Sequence, residues 1–507
     1  MIDRIYKIWT SKPLLTILLL AAFFRLISAI FSKGYGMSDD HFLVIELAQH
    51  WIDGHHEWFQ REHPFGHSLV YPGLHYILFY LLQKIHVTDP QLKMLIVRLI
   101  HAAYSMLVVW FGYLITRKLS DDKNAKQVGL ILALFWILPI MSVRNLVEFV
   151  CIPPAMIGFF LAIKGEEINQ EKWWILAGVM FGLSFTFRYQ ISIIISGIGL
   201  VLLIQKKIKS FFLFSIGFLI GAFIFQGLVD WVAWGYPFAA FGRYVVYNIQ
   251  SRYSYLTGPW YQYLALILGV FIPPISLMLF WGLLRTWKKH ALMFVPTALF
   301  LVFKSYFPNK QERFILPILP FILMLGIIGW NEFVNKSNFW QTKKKLLRGF
   351  WIWFWIINCI LLIVVSPTYT KKNRVETLYY LSKKEDVRGV IFESFQRTTP
   401  NPPKFYLNKK DVIIYRYPRT KSKQDLLNEI NEKQQPFPTY IIFLGEQGIN
   451  DRVSKFKTDF SAKLEFMVKI KPDLIDDVLY RLNPEHNRNQ TSYIYKISNK
   501  ALAKSEE

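Results

Sequence analysis

Residues 13–43 read PLLTILLLAAFFRLISAIFSKGYGMSDDHFL. From 13 to 31 the stretch carries a single charge, Arg25, and it is long enough as a helix to cross roughly 30 Å of hydrocarbon. A glycine-containing turn follows, and then two adjacent carboxylates, Asp39 and Asp40. No small-residue cleavage site comes after the apolar run, so it reads as a retained helix and not as a signal peptide. Its repetition along the chain decides the fold class. What the acids do depends on the charges that share their side of the membrane.

Apolar runs recur at about 13–31, 94–115, 128–142, 147–163, 173–187, 190–205, 211–233, 261–284, 291–303, 314–332 and 349–366, about eleven in all. The 507-residue chain is 53% hydrophobic and 17% aromatic, richer in Phe and Trp than a soluble chain of this size. The expectation is a polytopic α-helical membrane protein. The net charge of +24 would suggest nucleic acid in a soluble protein. Here much of the Lys and Arg sits in short clusters between apolar runs, so it reads as topology signal and no nucleic-acid partner is expected. Cys151 and Cys359 both lie in apolar segments, which argues against a disulfide or a CxxC metal site.

The loops RKLSDDKNAK (117–126), KGEEINQEK (164–172), KKIK (206–209), RTWKKH (285–290) and NKSNFWQTKKKLLR (335–348) alternate onto one side. Four of the five carry a basic excess, which with the basic N-terminus makes that side cytoplasmic. The opposite side then holds 32–93 with the Asp pair, the segments near 143–148 and 187–190, 235–260, 304–314 and the region 367–507. In that last region DVRGVIFES, DVIIYRYP, PTYIIFLG, KLEFMVKI and SYIYKIS read as short strands, with KQDLLNEINEK and VSKFKTDF as helices. The domain reading is a transmembrane catalytic domain over 1–366, with a first outer loop at about 32–93, and an extracytoplasmic α/β domain over 367–507. Neither G-x-G-x-x-G nor a Walker A motif occurs, so nothing points to a bound nucleotide.

Arg25, Arg98 and Arg188 lie in or at the ends of apolar runs. An arginine in hydrocarbon costs ~2.5–3.5 kcal/mol on insertion scales and normally faces a bundle interior or aqueous cavity, unless it snorkels to the interface. Several on one side with a carboxylate pair fit a shared cavity. Asp39 and Asp40 could cap the helix that HFLVIELAQHW would form, or one could act as a general base. A base alone suffices where the leaving group is a phosphate, which departs as an anion that Arg or Lys stabilises. Arg144, Arg188, Lys304, Lys310 and Arg313 could hold such a phosphate, presented from the membrane on a lipid. One displacement at the anomeric carbon inverts configuration, the base-assisted half of inverting glycoside chemistry.

KSYFPNKQERFILPILP (304–320) and GMSDDHF (36–42) also resemble motifs of family 22 glycosyltransferases, the Alg9/PIG-B-like mannosyltransferases that use dolichol- or polyprenyl-phosphate mannose in GPI-anchor and N-glycan assembly. Lys310, Glu312, Arg313, Phe314 and Pro317 match the HSFLPHKEERFI-P pattern. GMSDDHF stands where many members have HPDEHFQ, after an arginine in the first span as Arg25 is here. YPGLHYILF (71–79), VRLIHAAYS (97–105) and GPWYQYL (258–264) are similar in order and spacing. Over about the first 330 residues, the resemblance implies a GT-C glycosyltransferase fold, an inverting mechanism and a polyprenyl-phosphate sugar donor, most simply mannose. It matches Asp39 to the catalytic acidic position and Asp40 to the neighbouring Glu. Met37-Ser38 in place of His-Pro, Asp40 in place of Glu, and Lys304 and Asn309 in place of histidines leave the sugar and acceptor open. The expected partners are that donor, a glycan or glycolipid acceptor, and membrane lipids. A bacterial plasma membrane suits the outer α/β domain, with the endoplasmic reticulum as the alternative. An N-Q-T sequon stands at Asn489.

Arg25, His63, His67 and Glu312 are further candidates for substrate contacts. His41, His50, His55, His56, His63, His67 and His75 cluster early in the chain, but Pro64 and Gly66 break the His63/His67 spacing. Hydroxyl binding or ordinary loop roles fit them better than a metal, and no cofactor is expected. Trp51, Trp58, Phe59 and Phe65 could form an interfacial belt or stack on a sugar. GRYVVYNIQSRYSYL (242–256) reads as a mobile cover or an interfacial helix. Glu148 could pair with Arg144 or touch substrate. The competing readings are another GT-C transferase, of the aminoarabinose or protein O-mannosyl type, and a non-enzymatic lipid or sugar transporter. The KQERF segment argues against the first. The lack of matched broken helices argues against the second.

Overall fold

The computed structural model describes residues 9–55, 64–484 and 487–498. Among them six helices are long and apolar enough to cross a membrane: Pro13–Phe31, Pro90–Leu119, Val147–Ile168, Ile208–Trp234, Glu312–Lys336 and Lys344–Val365. A seventh candidate is a pair, Gln262–Val270 and Ile275–Arg285, bent by 118°. The chain is thus an integral multi-pass membrane protein. The count differs from the eleven apolar runs because several runs make shorter helices. Tyr189–Ile204 and Ala291–Tyr306 are short and apolar. Glu171–Phe187 has 17 residues, about 26 Å at 1.5 Å per residue.

The run 128–142 is broken, and buried polar groups explain the break. Its helix, Asp122–Leu134, ends at Phe135, and a separate turn of helix covers Leu138–Ser142. Arg25 is buried, and its guanidinium donates to the carbonyls of Leu132 at 3.3 Å and Ala133 at 3.2 Å and to the Ser105 hydroxyl at 2.9 Å. Asn358 accepts from the Trp136 amide at 3.0 Å and donates to the Leu134 carbonyl at 2.8 Å. Backbone groups freed by a break in an apolar setting need such partners. Arg25, read above as a substrate residue, spends these bonds holding the broken helix.

Packing divides the chain into two units. The first comprises Met1–Ile30, His55–His75 and Val97–Pro367. Its helices approach closely through glycine. A Cβ at Gly178 would lie 2.2 Å from the Phe214 carbonyl oxygen, and one at Gly217 would lie 2.1 Å from that of Ile175. Gly182 and Gly221 meet the same helix pair one turn on. Small residues four apart let membrane helices touch along their backbones. Gly217→Leu is expected to overpack this seam by about 1–3 kcal/mol, read as a lower unfolding temperature in detergent.

The second unit comprises Phe31–Gly54, Tyr76–Ile96 and Thr368–Glu507. Its sheet contains β1 (Gly389–Ser394), β2 (Ile413–Pro418), β3 (Tyr440–Leu444), β4 (Lys463–Ile470) and β5 (Ser492–Ser498), in the order β2-β1-β3-β5-β4. β1 runs parallel to β2 and β3, and β5 runs antiparallel to β3 and β4. The five apolar segments read as strands all form strands. The two helices expected among them appear at Lys423–Glu432, with a Ser422/Asp425 capping box, and at Ile449–Asp459. Ile391, Tyr415, Leu426, Ile441, Phe443 and Phe456 lie in the core.

Candidate active site

Glu148 lies on the short helix Val147–Val150 and is fully buried. Its Oε1 is 3.0 Å from Arg188 Nη2 and 3.4 Å from Arg313 Nε. Arg188 sits where the helix Glu171–Phe187 ends and the backbone turns extended, and Arg313 lies on the 3₁₀ turn Glu312–Ile318. The buried ammonium of Lys304, from the last turn of Ala291–Tyr306, lies in the field of Glu148, Arg188 and Lys310. One ring gathers the cations: Phe314 has Lys304 Nζ at 4.6 Å, Arg188 Cζ at 5.0 Å and Arg313 Cζ at 5.6 Å from its centroid. Each buried ion loses several kcal/mol of hydration. Even without Arg313, Arg188 and Lys304 outnumber Glu148, so this spot suits an added anion.

Lys310 has a different environment. Its ammonium donates to the carbonyls of Lys304 at 2.7 Å, Ser305 at 2.6 Å and Phe307 at 2.6 Å. Three donors meet three acceptors, so Lys310 caps the end of the helix that carries Lys304. Two neighbouring stretches brace the same turn: the Lys310 amide donates to the carbonyl of Leu256, at the end of 242–256, at 2.9 Å, and buried Tyr263 of GPWYQYL donates to the Gln311 carbonyl at 3.1 Å. Arg144 is buried between the helices Leu138–Ser142 and Val147–Val150. Glu312 and His67 are exposed. His63, His56, Trp58 and Phe59 lie outside the described residues.

The stretch 242–256 is helical through Gln250, in a helix Ala239–Gln250 with exposed Val245, Val246 and Ile249. Its Tyr244 hydroxyl accepts from Gln190 Nε2 at 2.7 Å, two residues beyond Arg188. Buried Asp230, which sequence reasoning passed over, holds the start of that helix through the Ala240 amide at 2.9 Å. Phe65 packs on Trp234. The similar stretches 71–79 and 97–105 meet in a polar knot. His101 Nδ1 is 2.8 Å from the Val97 carbonyl and takes the donor role there, so its Nε2 accepts from the Tyr71 hydroxyl at 2.6 Å. His75 stacks on His101.

The acidic pair belongs to the second unit. Asp39 and Asp40 lie in the first turn of a helical segment, Ser38–Asp40, that continues through the wide π-turn His41–Glu46 into Leu47–Ile52. Neither acid is the N-cap residue. Met37 holds that position and makes no side-chain cap bond. Asp39 is exposed and Asp40 is buried. Wide turns of this kind concentrate at functional sites.

The segment is tightly held. His41 is stacked between Tyr35 at 4.5 Å and Tyr406 at 5.5 Å, with its Nε2 3.4 Å from Glu46 Oε1. Glu46 also accepts from the Phe405 amide at 2.8 Å. Trp51 packs on Tyr76. The preceding turn lies against 368–371: Thr370 donates its amide to the Lys33 carbonyl and its hydroxyl to the Tyr35 carbonyl, and Lys371 Nζ donates to the carbonyls of Tyr35 and Gly36. Gly34 has φ +81, and a Cβ there would lie 1.8 Å from the Thr370 oxygen. Gly34→Ala should therefore dislodge the acid-bearing turn and lower transfer activity at least tenfold, measured as turnover of protein that still carries its second unit folded.

Among the described residues no group of three His, Cys, Asp or Glu side chains is placed to hold a metal ion. A helical bundle joined in one chain to a mixed α/β unit is the architecture of the GT-C-like fold. The chain belongs to the Alg9-like mannosyltransferase family, whose profile matches residues 16–396, more than half its length. It is 23% identical over 402 residues to GPI mannosyltransferase 3 of Yarrowia lipolytica (strain CLIB 122 / E 150), which covers 76% of this chain and 74% of the relative. Among solved structures it resembles ArnT from Cupriavidus metallidurans bound to undecaprenyl phosphate, with TM-score 0.61 at 10% identity over 95% of this chain and 97% of that one. It also resembles the Archaeoglobus fulgidus oligosaccharyltransferase, with TM-score 0.56 at 13% identity over 87% and 69%.

Proposed function

We propose that this protein transfers a hexose, most simply mannose, from a polyprenyl-phosphate carrier to a hydroxyl of a glycan or glycolipid on the extracytoplasmic side, with inversion. The observation that carries this reading is the gathering of Arg188, Lys304 and Arg313 around Glu148 and Phe314 in a chain of the mannosyltransferase family. A phosphodiester-linked sugar needs its leaving phosphate stabilised as charge develops, and preorganised cations in a dry site do this best. That the ArnT structure was determined with undecaprenyl phosphate bound supports a lipid carrier here. The relative named as a GPI mannosyltransferase supports a glycolipid acceptor.

The step balances simply. The acceptor hydroxyl oxygen forms a bond to the anomeric carbon, and the bond from that carbon to the phosphate oxygen breaks. Asp39 takes the hydroxyl proton. The polyprenyl phosphate leaves as an anion, its charge met by Arg188, Lys304 and Arg313, with Arg144 adding to the field. Lys310 supports the step by fixing the turn that carries Lys304 and Arg313. From the basic loops we read the transfer step as taking place on the outer side of the membrane, and the small α/β domain suits a bacterial plasma membrane. Asn489 of the sequon is buried and donates to Asp476 at 3.0 Å, a poor setting for glycosylation in the endoplasmic reticulum.

The test is transfer by purified protein in detergent with host lipid extract, comparing radiolabelled polyprenyl-phosphate mannose with labelled GDP-mannose. Label is expected to reach a glycolipid or glycan from the lipid donor alone. Transfer from the nucleotide sugar, or from neither, would end this reading.

A further inference from the structure

The second unit contains a cavity of about 440 Å³, within the range of small-ligand sites. It opens where the loop after β3, the end of β4 and the approach to β5 meet, and its lining includes Glu446, Lys471, Asp477, Tyr480, Arg481 and Asn489. The strand order places it outside the carboxyl end of β3, the edge of an α/β sheet at which ligands gather. The two acids and two bases balance, which favours an uncharged polyhydroxylated ligand over a phosphate. Tyr480 offers a ring face for a sugar, as carboxylates, amides and guanidinium offer hydroxyl partners. Asn489 is 9% exposed and lines the cavity; its Nδ2 is engaged by Asp476, and its Oδ1 has no hydrogen-bond partner among the described residues. A buried amide oxygen left in this state is costly, and a ligand hydroxyl would satisfy it.

The cavity is built and held open. Arg452 donates to both oxygens of Glu393 at 3.1 and 3.0 Å, and to the carbonyls of Leu444 at 2.9 Å, Gly445 at 3.0 Å and Gln447 at 3.1 Å. This clamps the Gly445–Gly448 loop from beneath. Gly445 has φ +85, and a Cβ there would lie 2.0 Å from Gln490 Oε1. Glu446 is fixed at the rim by Lys469 at 2.9 Å and by the Thr491 hydroxyl at 3.2 Å.

We infer that this cavity binds a saccharide, the non-reacting part of the acceptor glycan, and so selects the acceptor. This rests on the glycosyltransferase reading above. It gives the C-terminal sheet a task apart from the chemistry.

The test is calorimetric titration of a linear mannotriose into the full-length protein in detergent, for wild type, Tyr480→Ala and Asp477→Ala. Both side chains lie on the surface helix Leu474–Leu482, and unchanged unfolding temperatures will confirm intact folds. Wild type should bind at one saturable site, and each variant should bind at least about tenfold more weakly. Absence of saturable binding by wild type, equal affinity in all three proteins, or competition by inorganic phosphate would overturn the inference. The titration does not depend on turnover. A protein that transfers mannose yet binds mannotriose equally well in all three forms defeats the cavity alone, and one that transfers nothing defeats the enzymatic reading alone.

Discussion

Asp39→Asn is expected to lower sugar transfer by about 10²–10⁴-fold, the usual contribution of a positioned general base. Asparagine keeps the shape of the side chain and cannot take the hydroxyl proton. Asp39 is exposed in the first turn of its helix, and Met37, not the acid, is the N-cap residue. The substitution therefore removes no N-cap, and the unfolding temperature should hold. Asp40 is its buried neighbour, so Asp40→Asn should shift stability as well as rate. The measurement is initial velocity at saturating lipid donor. If Asp39→Asn turned over at the wild-type rate, the base would lie elsewhere.

Glu148→Leu is expected to be the most damaging single change to the helical unit. Glu148 is the shared partner of Arg188 and Arg313, and its charge offsets that of Lys304. Removing one member of a buried ion pair costs about 3–5 kcal/mol, because the partner charge stays buried without it. Here the residual charges also repel one another. Folded yield and unfolding temperature in detergent should both fall steeply. Addition of polyprenyl phosphate should restore part of the loss, since an anion at this spot supplies the missing counter-charge. A variant as stable as wild type would mean that the cluster is neutralised in some other way.

Much of the fold was legible in the residues. The apolar runs carried the helices, and the alternating segments after 367 carried the five strands, because burial in a membrane or sheet core leaves a periodic trace. The broken run at 128–142 was not legible, since its cause is Arg25 and Asn358, far away in sequence. The glycines at 178, 182, 217 and 221 were a readable signal that small residues four apart mark close helix contacts, and it went unused. At the candidate site the residue types were readable and their partners were not. The sequence leaves Glu148 open between Arg144 and substrate, and local pattern could not show its ion pairs with Arg188 and Arg313, which lie far along the chain. Lys310 read as a phosphate ligand from its motif, yet three carbonyls of a helix end occupy its ammonium. The anchoring of the acidic segment by Tyr35, Tyr406 and Thr370 joins residues more than 330 positions apart, a separation that local pattern cannot reveal.

In the proposed mechanism the buried cations bind the donor phosphate while Asp39 serves only the chemistry. The most direct measurement is equilibrium binding of polyprenyl phosphate to wild type, Lys304→Met and Asp39→Asn, with transfer recorded on the same samples. Methionine keeps the packing over Phe314 without the charge. Lys304→Met is expected to bind about tenfold or more weakly, a loss of roughly 1.4 kcal/mol, while Asp39→Asn is expected to bind like wild type and fail to transfer. Wild-type binding by Lys304→Met together with lost binding by Asp39→Asn would contradict it.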